Sequence, residues 1–130
     1  MAKFDRSRFV ESFVQEAREN LQELNKGLLA LEKQPADQGV LVEILRTAHT
    51  LKGSSRMLKF ANVGQIAHRM EDVLAAVQTG KLAWRPALGD VLFAALDRLA
   101  QCLDRIVATG KEDLEVGDVC TALEAASREE

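Results

Sequence analysis

A histidine followed by lysine at i+3 and glycine at i+4, in the run His49-Thr50-Leu51-Lys52-Gly53-Ser54-Ser55, suits the carriage of a phosphoryl group. On a helix, residues three apart lie about one turn from each other, so the Lys52 ammonium can meet a phosphate held on the His49 ring. Gly53 bares the helix surface beside that ring, at a cost of roughly 1 kcal/mol relative to alanine. The glycine does nothing for the helix itself, so its placement points to something that approaches the histidine closely. A neutral imidazole is a competent nucleophile, and an ordinary one is mostly neutral at cellular pH.

A carboxylate that accepts a hydrogen bond from one ring nitrogen fixes the tautomer and leaves the other nitrogen as the nucleophile. Periodicity supplies a candidate. At ~100° per residue, His49, Lys52 and Arg56 share one flank of their helix, within a sector of about 60°. On the following helix Glu71 and His68 occupy the flank of the same sense, and antiparallel packing brings the two flanks together. His49 and Glu71 each lie eleven residues from Phe60, and Lys52 and His68 each lie eight. A reversal near Phe60 therefore sets His49 opposite Glu71 and Lys52 near His68. In this patch Glu71 orients the imidazole, Lys52 compensates phosphoryl charge, and His68 either extends the hydrogen-bond network or touches the phosphate.

Each residue also has a plainer reading. A surface histidine is often only solvated, Glu71 can be one half of a surface ion pair worth under ~1 kcal/mol, and His68 can be a bystander. Ser54 and Ser55 read as small residues that permit close packing. Arg56 and Lys59 are either solubilising charges or cations that steer an acidic partner. A metal site has little support: His68-x-x-Glu71 resembles half of a di-iron motif, but its order is reversed, no second copy exists, and the chain has only two histidines. No metal is expected.

The elements that must hold this patch are five amphipathic helices. Apolar stripes spaced by three and four predict a first helix over 7–33 (Phe9, Phe13, Ala17, Leu21, Leu24, Leu28, Leu31), ended by Gln34-Pro35. A second runs over 37–59 from an Asp37 cap, with Leu41, Ile44, Leu45, Ala48, Leu51, Ser55 and Leu58 inward. Asn62 caps a third over 62–78, closed by Gly80. Pro86 opens a fourth over 86–109, ended by Gly110, and a short fifth spans 113–127 with Val116, Val119, Cys120 and Leu123 inward. Short connections between long helices imply an antiparallel four-helix bundle with an additional short C-terminal helix, an all-α fold. The ending Ser127-Arg128-Glu129-Glu130 is polar and frays or leads into a linker.

Composition agrees. The 130 residues make one domain with a real core, and two prolines leave long stretches uninterrupted. A net charge of −3 with interspersed basic residues argues against nucleic acid as a partner. Cys102 and Cys120 fall on apolar helical positions and read as reduced core thiols. The opening Met1–Arg6 has no apolar run of the signal-peptide kind, and no stretch approaches the ~20 apolar residues of a membrane span, so a cytoplasmic chain without membrane insertion is expected.

The His49-Thr-Leu-Lys52-Gly53-Ser-Ser run resembles the signature of histidine-containing phosphotransfer domains. With Arg56-Met57-Leu58-Lys59-Phe60 and Ala67-His68-Arg69-Met70-Glu71-Asp72-Val73-Leu74, the chain is similar over its whole length to the N-terminal phosphotransfer domain of CheA-type chemotaxis histidine kinases. The resemblance implies a phosphoacceptor at His49, an accessory lysine at Lys52, a hydrogen-bonding glutamate at Glu71 and a second patch histidine at His68. It also implies phosphorylation at the outer ring nitrogen by an ATP-using kinase catalytic domain, then transfer to an aspartate on a response-regulator receiver. Gly53-Ser54 departs mildly from the Gly-Gly or Gly-Ala of many relatives, and Lys59 stands where many have glycine. No nucleotide-binding motif occurs, so the chain needs no cofactor of its own and does not phosphorylate itself from ATP. The isolated domain is expected to be a monomer and part of a longer kinase. A free-standing phosphorelay intermediate, or a helical docking module without covalent chemistry, are the alternatives.

Overall fold

The computed structural model describes residues 6–128, and within them the chain is helix and connection, without strand. Glu129 and Glu130 of the polar ending, and residues 1–5 of the opening, lie outside the described residues. Helices α1 (Arg6–Lys33), α2 (Gln38–Met57), α3 (Ala61–Gln78), α4 (Pro86–Thr109) and α5 (Gly117–Arg128) follow in order. The first four close into a ring in which α1 adjoins α2, α2 adjoins α3, α3 adjoins α4 and α4 returns to α1, while α5 lies against α3 and α4.

Cross-helix contacts give the direction. Thr47 of α2 donates its hydroxyl to Glu23 of α1 at 3.1 Å, and a Cβ added at Gly27 would run into Ile44. Rising numbers on α1 thus meet falling numbers on α2, and the pair is antiparallel. Arg18 meets Asp104 at 3.2 Å while Gly89 lies near Glu32, so α1 and α4 are antiparallel too. The core is almost wholly aliphatic, and every buried side-chain polar atom among the described residues has a hydrogen-bond partner. Among the described residues no helix is long and apolar enough to cross a membrane. Both cysteines are buried and unpaired, and burial pushes the Cys102 thiol up to about 11.

The stripes read from the sequence supply most of this core, with differences at their edges. Phe9 is 53% exposed. The next inward aromatic on α1, Phe13, stacks on Phe60 at 5.2 Å where α2 turns into α3, and Arg6 covers the same ring at 5.3 Å, so the place against Phe60 is taken by these two side chains. Leu21, Leu45 and Leu58 are only partly buried, whereas Val14, Thr47, Gly27 and Gly64 are buried.

Three helix boundaries also shift. Asp37 does cap α2, accepting from the Val40 N–H at 3.2 Å. The helix stops at Met57 rather than Lys59, because the Phe60 N–H returns to Ser55 O (2.8 Å) and the Lys59 N–H to Arg56 O (3.1 Å). This six-to-one and five-to-two closure sets Lys59 in the left-handed region, at φ 64°. Helix α3 begins at Ala61, and Asn62 does not cap it. The Glu112 carboxylate does so instead, accepting from Asn62 N at 2.7 Å and Val63 N at 3.0 Å, while the Asn62 amide donates to Glu112 O and Leu114 O. The segment that makes these bonds cannot also coil, so α5 starts at Gly117 rather than Asp113. Asp113 is held by Arg105, and Glu115 O accepts from Arg98.

Candidate functional site

Helices α2 and α3 meet closely because small residues face each other. Ser55 is fully buried, and a Cβ at Gly64 would come within 3.2 Å of its hydroxyl oxygen and 3.4 Å of Arg56 Cγ. Ser55 packs here as a small residue and donates to Lys52 O at 2.9 Å, while Ser54 is only partly buried and donates to Leu51 O at 3.3 Å. Gly64 is the residue that reasoning from sequence passed over. An unforced glycine inside a helical pattern was the available signal.

That approach brings His49 and Glu71 together. His49 Nδ1 lies 2.7 Å from Glu71 Oε2. A carboxylate has no proton to give, so Nδ1–H is the donor, and in the neutral ring the lone pair lies on Nε2, on the ring edge away from Glu71. The His49 side chain is 66% exposed and that of Glu71 20%. The imidazole stands at the surface while the carboxylate it meets is sunk in the helix interface. Gly53 follows on the open side, where an added Cβ would meet nothing within 4 Å. No packing within the domain asks for a glycine there.

Lys52 departs from its expected neighbour. Its ammonium donates to the second carboxylate oxygen, Glu71 Oε1, at 2.6 Å, rather than lying against His68. Its four-carbon stem turns toward the nearest anion, and at 16% exposure it forms the most sheltered part of the site. Burial pushes the Glu71 carboxyl upward, but the hydrogen bonds from Lys52 and His49 and their charges outweigh it and hold the group below its ordinary 4.5. Glu71 is therefore an anion that receives two protons in hydrogen bonds, one on each oxygen.

His68 lies one turn nearer the reversal. Arg56 donates to its Nδ1 at 3.3 Å, which leaves the proton on Nε2, 3.8 Å from Asp72 Oδ1. Arg56 and His68 thus form a second pair beside the first. Lys59 is exposed on the turn.

The Hpt domain family model matches residues 8–109. The chain is 39% identical over 108 residues to the chemotaxis protein CheA of Halobacterium salinarum, a stretch that covers 83% of this chain and 16% of that protein. It therefore spans about a sixth of that relative's length. Among solved structures, the solution structure of the histidine phosphotransfer domain of CheA superposes with a TM-score of 0.83 at 30% identity, covering 91% of this chain and 90% of that one. The phosphorylated P1 domain of CheA3 from R. sphaeroides, crystallised in complex with CheY6, has the same fold, with a TM-score of 0.82, 23% identity and coverage of 92% and 95%.

Proposed function

This chain belongs to the Hpt domain family, and we propose that within it His49 is the residue that accepts a phosphoryl group and passes it on. The observation that carries the reading is the carboxylate of Glu71 on the Nδ1 side of an exposed imidazole, 2.7 Å away. In the neutral ring it puts the free lone pair on Nε2 of a side chain that is 66% exposed. In the loading step Nε2 attacks the γ-phosphorus of ATP held by a separate histidine-kinase catalytic domain. An N–P bond forms, the P–O bond breaks, and ADP leaves with its electrons. Both ring nitrogens are then substituted and the imidazole is cationic, a charge that the Glu71 carboxylate faces directly. In the unloading step an aspartate oxygen on a response-regulator receiver takes the phosphorus, the N–P bond breaks, and Nε2 recovers its lone pair.

Lys52 fits a supporting role in this cycle. An ammonium has three N–H donors, and the bond to Glu71 uses one, so two remain for phosphoryl oxygens. Arg56 and Lys59 add positive charge on the approach side, and His68 carries the Arg56 contact. The similarity to CheA supports a chain that works beside an ATP-using kinase domain and a receiver in a chemotaxis-type pathway, in the cytoplasm where those domains operate. No cofactor is assigned to the chain itself. The test is phosphorylation of the 130-residue chain by a CheA-type catalytic domain with ATP, followed by mass mapping. Wild type is expected to carry one acid-labile phosphoryl group on His49, and His49→Gln none. Label retained by His49→Gln would overturn the assignment.

A further inference from the structure

The side of the bundle away from His49 carries a groove whose symmetry the site does not use. Helices α2 and α3 hold the His49–Glu71 pair, and the α1–α4 seam lies across the ring of helices from them. Along the first half of α1 this seam opens into a groove lined by Val10, Val14, Ile106 and Val107. Val14 and Ile106 are buried, whereas Val107 stands out on the α4 wall at 61% exposure. Arg18 meets Asp104 across the seam, so, three residues back along α1 and three on along α4, Val107 lies level with Gln15. Glu11 and Arg18 also line the groove, both exposed. Seven residues apart, they share one stripe of α1, within ~20° around the helix. Their midpoint falls between Val14 and Gln15, level with Val107. The groove thus has an apolar centre, with an acid and a base each ~5 Å from it along the axis, on opposite sides.

We propose that a second copy of this chain occupies the groove, in a two-fold dimer whose α1 helices pack antiparallel and whose Val107 side chains each meet the centre of the other copy's groove. A two-fold interface is one patch against itself, so a residue that meets a different residue of the other copy is repeated by its mirror contact. Rotation about the groove's midpoint sets Glu11 of one copy against Arg18 of the other, and the same pair forms again beyond the axis. Charge complementarity of the patch with itself picks this occupant, since a partner of other sequence does not require acid and base at equal distances from an apolar centre. Arg18 can serve both acids: its contact with Asp104 runs through Nη2 at 3.2 Å, and a guanidinium has five N–H donors. The patch is small and each copy carries a net charge of −3, so the association is of the weak class. This dimer departs from the monomer expected from the sequence. It leaves both His49 residues on the outer sides of the pair, and it does not depend on the carrier reading of His49.

Sedimentation velocity of the 130-residue chain reads the association. Wild type should pass from monomer to dimer with a Kd of about 100 µM, followed from about 10 µM to about 1 mM. Glu11→Arg and Arg18→Glu each set like charges against one another across the axis and should weaken association about tenfold or more. An equimolar mixture of these two variants should associate as wild type does, because each copy then supplies the charge that the other faces. No effect of either substitution on its own chain produces that rescue. Val107→Glu brings two carboxylates together at the axis and should give a monomer with wild-type helix content by circular dichroism. Val42→Thr, at an exposed valine on α2, should change nothing. Wild type that stays monomeric throughout the range overturns the proposal. So does a dimer that all three charge substitutions leave intact, or a mixture of Glu11→Arg and Arg18→Glu that fails to associate. Loss of binding to a histidine-kinase catalytic domain in Val107→Glu, with no self-association in wild type, also overturns it and makes that domain the occupant.

Discussion

At the scale of single residues, the site depends on one carboxylate that serves two donors. Glu71 gives Oε2 to His49 and Oε1 to Lys52, so neither can be satisfied by a side chain with a single acceptor at the same strength. Glu71→Ala is expected to leave the helices intact and slow phosphorylation of His49 by about 10- to 100-fold, the size of one lost charged hydrogen bond of ~1.5–3 kcal/mol. Quench-flow phosphorylation of the variant checks this, and an unchanged rate removes the orienting role. The pH dependence has a definite sign. The folded carboxyl titrates below its ordinary 4.5, so its contribution to stability is present above that value and fades as pH falls through the depressed one. The stability gap between wild type and Glu71→Ala should hold steady near neutrality and narrow in acid. The His49–Glu71 pairing was legible in the sequence because helical period and a counted reversal fix it. The destination of Lys52 was not, because a long flexible stem chooses its partner from local anions that periodicity does not rank. The Arg56–His68 contact escaped for the same reason.

At the scale of elements, the turn between α2 and α3 sets how Glu71 meets His49, and it is closed by a residue poorly suited to it. Lys59 adopts φ 64°, a conformation that costs an L-residue with a Cβ roughly 1–2 kcal/mol and glycine almost nothing. Lys59→Gly is therefore expected to stabilise the domain by about 1 kcal/mol, less the unfolded-state entropy that glycine adds. Urea unfolding should show a higher midpoint with an unchanged slope, and a lower midpoint would mean that the lysine side chain holds the turn. The other two left-handed closures, Gly80 and Gly110, were readable as helix ends because glycine announces them. Here the lysine hid the stop, and the helix was read two residues too long. The start of α3 was misjudged differently. Asn62 has the chemistry of a local cap, but its amide bonds to the chain fifty residues on, and no local pattern contains that information.

At the scale of the whole molecule, residue Glu112 ties the second half of the bundle to the first. Its half-buried carboxylate closes the open N–H groups at the start of α3, and the segment it belongs to connects α4 with α5. Glu112→Ala would leave two α3 donors without a partner and is expected to cost about 1–3 kcal/mol, lowering the Tm by several degrees. Phosphorylation of His49 should survive below that Tm, because residue 62 lies ~13 Å along α3 from Glu71 at 1.5 Å per residue. Burial raises the Glu112 carboxyl above 4.5 despite its two backbone bonds. The folded state therefore binds this proton more tightly than the unfolded chain does. Its favourable share is present below 4.5 and is lost as pH rises through the raised value, opposite in sign to Glu71. Glu112→Gln, which keeps one acceptor and carries no charge, should cost less than Glu112→Ala at neutral pH. Wild type should then gain on the glutamine variant as the solution is acidified, while it loses its advantage over Glu71→Ala. Chemical denaturation of the three proteins at pH 3.5 and 7 separates the two trends, and parallel curves for both carboxylates would show that Glu112 is not held by burial at the head of α3.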